Sequence, residues 1–143
     1  YGENDNFHPE DSHVVPALVR KFIEAKDSNA KEVEVWGTGN ASREFLYVKD
    51  CAKVIVDMLD KDCGSGPFNL GTGQSTSIKE LVETLKELTQ FDGNIVWNSN
   101  RPDGQKNRYY DMTKLREVLG YIPSTPLREG LENTIRWYKE NGR

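Results

Sequence analysis

The side chains best suited to chemistry in this sequence are two histidines, His8 and His13, and a scattered set comprising Lys21, Trp36, Arg43, Arg101, Asp103 and Arg108. Imidazole exchanges protons near neutral pH, which makes each histidine a candidate acid or base. His13 follows Ser12 at the start of an apolar-periodic run, where the positive end of a helix dipole favours the neutral ring. The alternative is a helix-start residue bonded only to backbone. His8, beside Pro9, reads as a turn residue. Planar guanidinium groups grip phosphate oxygens two at a time. Arg43, Arg101 and Arg108, with Lys21, therefore suit a phosphorylated ligand if the fold gathers them, and are solvated surface charges if it does not. Trp36, just before a glycine turn, offers an aromatic face to a base or sugar, or else packs in a core. Asp103, in RPDG, accepts hydrogen bonds from ligand hydroxyls or simply shapes a turn.

Other machinery is absent from the sequence. There is no G-x-G-x-x-G after a strand, no phosphate loop ending in GKS or GKT, no H-E-x-x-H and no G-x-S-x-G. GTGN (37–40) and NLGTG (69–73) read as turns rather than nucleotide cradles. Tyr110 and Lys114 share the Y-x-x-x-K spacing of reductases, but lie far from any cofactor motif and read as a coincidence. Cys51 and Cys63 are too few for a zinc site and read as reduced thiols of a cytoplasmic protein, with Cys51 buried on an apolar helical stripe.

Elements must position these groups. The 143 residues are 36% hydrophobic, enough for one core, and 19 basic against 23 acidic side chains give a net charge of −4. That balance argues against non-specific binding to nucleic acid or an anionic membrane, and no apolar run is long enough to span a bilayer. Residues 1–12 are dense in turn formers. Ser12 is expected to cap a first helix over about 13–26, with Val15, Leu18, Val19 and Phe22 on its buried stripe and Pro16 tolerated in the first turn. EVEVW (32–36) and REFLYV (43–48) read as two neighbouring or hairpin-like strands. A second helix begins near Lys49 with Ala52, Ile55, Val56 and Leu59 on its inward side, and PFNL (67–70) is a short strand. Hydroxyl residues 75–77 precede the clearest amphipathic helix, with Ile78, Leu81, Val82, Leu85 and Leu88 on one face. NIVW (94–97) is a strand, Thr113–Leu119 a short helix stopped by Gly120, and Leu127, Leu131, Ile135 and Tyr138 form a last stripe after Pro126. About five helical segments interleaved with short strands and no internal repeat indicate a small α/β domain.

Four stretches in this order carry a resemblance: YGENDNFHPEDSHVVPALVRKF, VEVWGTGNASREFLYVKD, FNLGTGQSTSIKELVE, and RPDG followed by YYDMTKL. Over essentially all 143 residues the chain resembles the C-terminal substrate-binding part of the GDP-L-fucose synthase family, a branch of the extended short-chain dehydrogenase/reductases. The resemblance implies that residues 1–143 form the substrate domain of a longer enzyme whose Rossmann half is absent here. It implies a parent that epimerises C3 and C5 of GDP-4-keto-6-deoxy-D-mannose and reduces C4 with NADPH, is a homodimer, and takes a GDP-sugar with no nucleic-acid or membrane partner. Carried over by position, His13 is the catalytic acid, placed near the nicotinamide of NADP. Lys21, Trp36, Arg43 and Asp103 are substrate contacts. The fragment alone is expected to be inactive. Two rival expectations are a related epimerase or dehydratase for another nucleotide sugar, and a non-catalytic binding domain on the same scaffold.

Overall fold

A computed structural model describes residues 1–142. The order is α1 (Val14–Asp27), β1 (Glu32–Trp36), β2 (Ser42–Arg43), α2 (Val48–Met58), β3 (Thr76–Ser77), α3 (Ile78–Leu88), β4 (Asn94–Asn98), α4 (Thr113–Leu119) and α5 (Leu127–Asn141). The α/β reading with five helices therefore stands.

Helix α1 forms where apolar residues recur at helical spacing. Val15, Leu18, Val19, Phe22 and Ile23 are all buried, and Pro16 sits in the first turn, where its missing N–H breaks no bond. Its N-cap is His13 rather than Ser12, and no side chain caps it. Helix α3 begins as expected: the hydroxyl of Ser77 accepts the N–H of Glu80 at 3.1 Å, and Leu81, Val82 and Leu85 are fully buried. Helix α4 stops at Gly120, whose φ of 77° is the left-handed conformation that a C-terminal glycine supplies.

The expected pairing of β1 with the following run is wrong. β1 pairs in parallel with β4, Val33 opposite Ile95 and Val35 opposite Trp97, while β2 pairs antiparallel with β3 through Ser42 and Ser77. Only Ser42 and Arg43 of the extended run join a ladder, because the glycine turn at 37–39 redirects the chain away from β1. The inward valines of β1 lie beneath α1, and α1, α3 and α5 pack on one another around them. Phe22, Val33, Leu81, Leu85, Phe91, Leu131 and Ile135 belong to this main core. Full burial of each such side chain contributes roughly 1.5–3 kcal/mol.

A smaller cluster forms around Val54, Met112 and Leu115, with Phe68 and Leu70 packed against it. Here three expectations fail. PFNL forms no strand ladder among the described residues. Helix α2 buries Val54 and turns the expected inward stripe outward, with Ile55 54%, Val56 61% and Leu59 77% exposed. Cys51, half-buried, is not the core thiol anticipated. The helix is apolar on two sides, so periodicity alone does not say which side the cluster takes.

Candidate functional site

One cleft of about 320 Å³ lies where α1, the end of β1 and the loop at 99–108 meet, and its lining includes Lys21, Trp36, Arg43 and Asp103. The floor is made by local geometry. Trp36 ends β1 with 58% of its surface exposed, because the strand alternates inward valines with outward residues and Trp36 falls on the outward set. Gly37 then takes φ +80°, a conformation that L side chains rarely adopt, and the chain turns away. Lys21, on the exposed flank of α1, donates to the carbonyl oxygen of Glu34 at 3.2 Å, which holds its ammonium 5.8 Å from the centre of the Trp36 ring. Leu18, Val35 and Ile78 supply an apolar wall.

The loop at 99–108 closes the other side. Arg43 donates through Nη1 to the carbonyls of Ser42 (2.7 Å) and Gln105 (2.6 Å). The N–H of Ser42 donates to Lys106 O at 2.8 Å, and that of Arg108 to Ser42 O at 3.2 Å. Asp103 receives the N–H of Thr38 at 2.6 Å on one carboxylate oxygen and the Thr38 hydroxyl at 2.7 Å on the other. These bonds, backbone first and hydroxyl second, hold the Asp103 carboxyl below the usual carboxylate range. The guanidinium of Arg101 lies 4.8 Å over the Trp36 ring, within cation–π distance. Arg108 is not in this cleft and instead stacks over Tyr110 at 5.7 Å.

His13 opens onto an adjoining cleft of about 260 Å³, lined also by Tyr1, Asp5, Glu44 and Phe45. Val14 lines both clefts and separates them. His13 is exposed, and its side chain makes no capping bond, so the imidazole is available to an incoming group. His8 lies outside both clefts and accepts the N–H of Glu10 at 3.3 Å, the turn role expected of it.

The sequence reading missed three polar groups. Ser12, assigned as a cap, lines the larger cleft with its hydroxyl oxygen buried and without a hydrogen-bond partner. Thr38 holds Asp103. Glu44, hidden inside REFLYV, accepts the N–H groups of Thr72 (2.8 Å) and Gly73 (2.9 Å) on one oxygen and that of Tyr110 (2.5 Å) on the other. Successive backbone N–H groups at a glycine turn form an anion nest, and here the anion is the protein's own carboxylate. A side chain on Gly71 would collide with it. NLGTG is thus a glycine nest after all, filled from within. Among the described residues no group of three His, Cys, Asp or Glu side chains is placed to hold a metal ion, and no helix is long and apolar enough to cross a membrane.

With this geometry in place, comparison with known proteins is informative. Residues 1–71 match the family described as NAD dependent epimerase/dehydratase. A probable GDP-L-fucose synthase 1 of Oryza sativa subsp. japonica is 50% identical over 141 residues, which are 99% of this chain and 43% of that protein. The chain is homologous to GDP-L-fucose synthases. The crystal structure of a GDP-L-fucose synthetase from Naegleria fowleri bound to NADP superposes with a TM-score of 0.93 at 28% identity, covering 99% of this chain and 44% of that one. The UDP-glucose 4-epimerase of Thermotoga maritima, solved with UDP-glucose, gives 0.85 at 28% identity and is matched over 44% of its length. The chain therefore spans less than half the length of each of these three relatives.

Proposed function

We propose that the chain is the GDP-sugar-binding part of an NADP-dependent epimerase and reductase that converts GDP-4-keto-6-deoxy-D-mannose to GDP-L-fucose. The observation that carries this reading is the gathering of Lys21, Trp36, Arg43 and Asp103, spread over some eighty positions of sequence, around one cleft. The homology to GDP-L-fucose synthases supplies the substrate class.

Each group has a task that its chemistry fits. Lys21 and Arg43 neutralise a diphosphate, Trp36 offers an indole face to the planar base or a sugar ring, and Asp103 accepts from hydroxyls. Inverting a carbon beside a ketone removes one proton and delivers another to the resulting enolate, so an acid and a base must lie on opposite sides of the sugar. His13 is the acid in this scheme, one residue from the wall that divides the two clefts. The base, and most of the dimer contacts of a homodimeric parent, are assigned to the part of the longer protein beyond these residues.

NADP carries the reducing hydride when bound to such an enzyme. The residues present do not form its cradle, because the glycine nest at Thr72 and Gly73 is filled by Glu44. His13 is the one group assigned to the nicotinamide side. The chain by itself is accordingly expected to bind a GDP-sugar without reducing it, in the cytoplasm of its source cell.

The UDP-glucose 4-epimerase likeness favours a second reading, a nucleotide-sugar epimerase with a different base preference. Isothermal titration of the chain with GDP-mannose, UDP-glucose and dTDP-glucose separates the two. Preference for GDP is the expected result, with binding of all three weakened in Arg43→Ala and Lys21→Ala. Equal or stronger binding of the UDP-sugar overturns the first reading.

A further inference from the structure

We propose that Thr38 is a positioning residue of the cleft: through its two bonds to Asp103 it fixes where that carboxylate faces the ligand and holds Arg101 against Trp36. The inference rests on the assignment of the cleft to a nucleotide sugar, and it concerns a residue that the resemblance leaves without a role.

The geometry is specific. The backbone N–H and the hydroxyl of Thr38 reach different oxygens of the same carboxylate, at 2.6 and 2.7 Å, across sixty-five positions of sequence. Two-point attachment fixes both the place and the plane of a carboxyl group, which one bond cannot do. A carboxylate offers about four lone-pair sites. Thr38 occupies one on each oxygen, leaving the others available to a ligand in the cleft that Asp103 lines.

Thr38 itself is held by the turn that precedes it. Gly37 has φ +80°, and a side chain at that position would run into the Asp103 carboxylate. The turn and the carboxylate are therefore shaped to one another. Arg101 and Pro102 directly precede Asp103, so the same attachment sets the guanidinium 4.8 Å over the indole and places Pro102 in the cleft wall. Arg43 fastens the loop a second time through Gln105 O at 2.6 Å. Arg43 anchors the far end of the loop, and at the near end the N–H of Arg101 donates to Asn98 O at 3.1 Å; between these two ties the Asp103 carboxylate is fixed by Thr38.

Thr38→Val is nearly isosteric and keeps the N–H while removing the hydroxyl. Thr38→Ser restores the hydroxyl and removes only a methyl group. With GDP-mannose as the probe, Thr38→Val is expected to weaken binding five- to tenfold and Thr38→Ser to stay within twofold of the parent. The Thr38→Val/Asp103→Asn pair is expected to be no weaker than Asp103→Asn alone, because both changes break one device. A multiplicative double variant, or a silent Thr38→Val beside a damaging Asp103→Asn, overturns the proposal and leaves Asp103 as an independent contact.

A ligand-free measurement keeps the test decisive if the parent chain takes up no GDP-mannose, a result that would sink the functional assignment itself. In ¹⁵N-resolved NMR spectra, Thr38→Val and Asp103→Asn are each expected to move the Trp36 indole resonance and the backbone amides of Arg101 and Gly104 in the same direction. Thr38→Ser is expected to leave them in place, and the core resonances of α3 to stay put in all three. An unmoved Trp36 signal in Thr38→Val overturns the proposal whatever the ligand does.

Discussion

The substitution Glu44→Gln keeps the shape of the side chain but removes its charge and one of its two acceptor oxygens. The structure makes the consequence calculable. One oxygen of Glu44 takes the N–H groups of Thr72 and Gly73, and the other takes that of Tyr110. A carboxamide turned to serve the first pair points its own NH₂ at the Tyr110 N–H, donor against donor, and the reverse orientation sets it against two. Losing one charge-assisted bond and leaving a half-buried donor opposed costs about 2–3 kcal/mol. For a chain of this size that corresponds to roughly 8–12 °C in melting temperature, at about 4 °C per kcal/mol. Glu44→Ala removes these acceptor contacts, with a further one to the Thr72 hydroxyl, but admits water, and its cost is expected to fall in the same range. Thermal unfolding followed by circular dichroism at neutral pH provides the assay. If Glu44 merely filled space, Gln would be harmless and Ala harmful. A Glu44→Gln variant melting within 2 °C of the parent would refute the reasoning.

Other outcomes follow from the same structure. Asp103 has its carboxyl lowered by the N–H and hydroxyl of Thr38, so its bonded form is complete above the usual carboxylate range and is lost as pH falls through the lowered value; an NMR titration with the Asp103 midpoint at or above that of a free aspartate would contradict this. Leu81→Ala empties a fully buried position in the main core and is expected to cost about 2–5 kcal/mol in urea unfolding. Val56→Lys and Leu59→Lys, on the outward face of α2, are expected to leave stability within about 0.5 kcal/mol of the parent and to reduce binding of a hydrophobic dye. A loss comparable to that of Leu81→Ala would mean that this face is covered in solution.

What the sequence made legible was whatever rests on neighbours within one or two turns. Helix α3 was readable because a hydroxyl cap and an apolar stripe lie within a dozen residues, and β1 because its alternation is local. The partner of β1 was not readable, since nothing near EVEVW points to NIVW. Helix α2 misled for a different reason: apolar residues on two sides satisfy the helical period twice, and only the packing of Val54 on Met112 and Leu115 decides between them. The candidate ligand groups were visible as residue types. Glu44 and Thr38 were not, because a glutamate within a strand-like run and a threonine within a turn carry no sign of the distant N–H groups and carboxylate they serve.

The parallel pairing of β1 with β4 sets an order of events for folding. Glu32 faces Asn94, so no β1–β4 bond can form until a loop holding α2 and α3 has closed, an entropic cost paid before the ladder contributes anything. During synthesis at ~5–20 residues per second, β1 waits roughly 3–12 s for its partner to be made. Through that interval Val33 and Val35 have α1, and α3 once it is made, for cover, and the floor beneath Trp36 has no second strand to fix it. The ligand cleft is therefore among the last parts of the chain to acquire its shape.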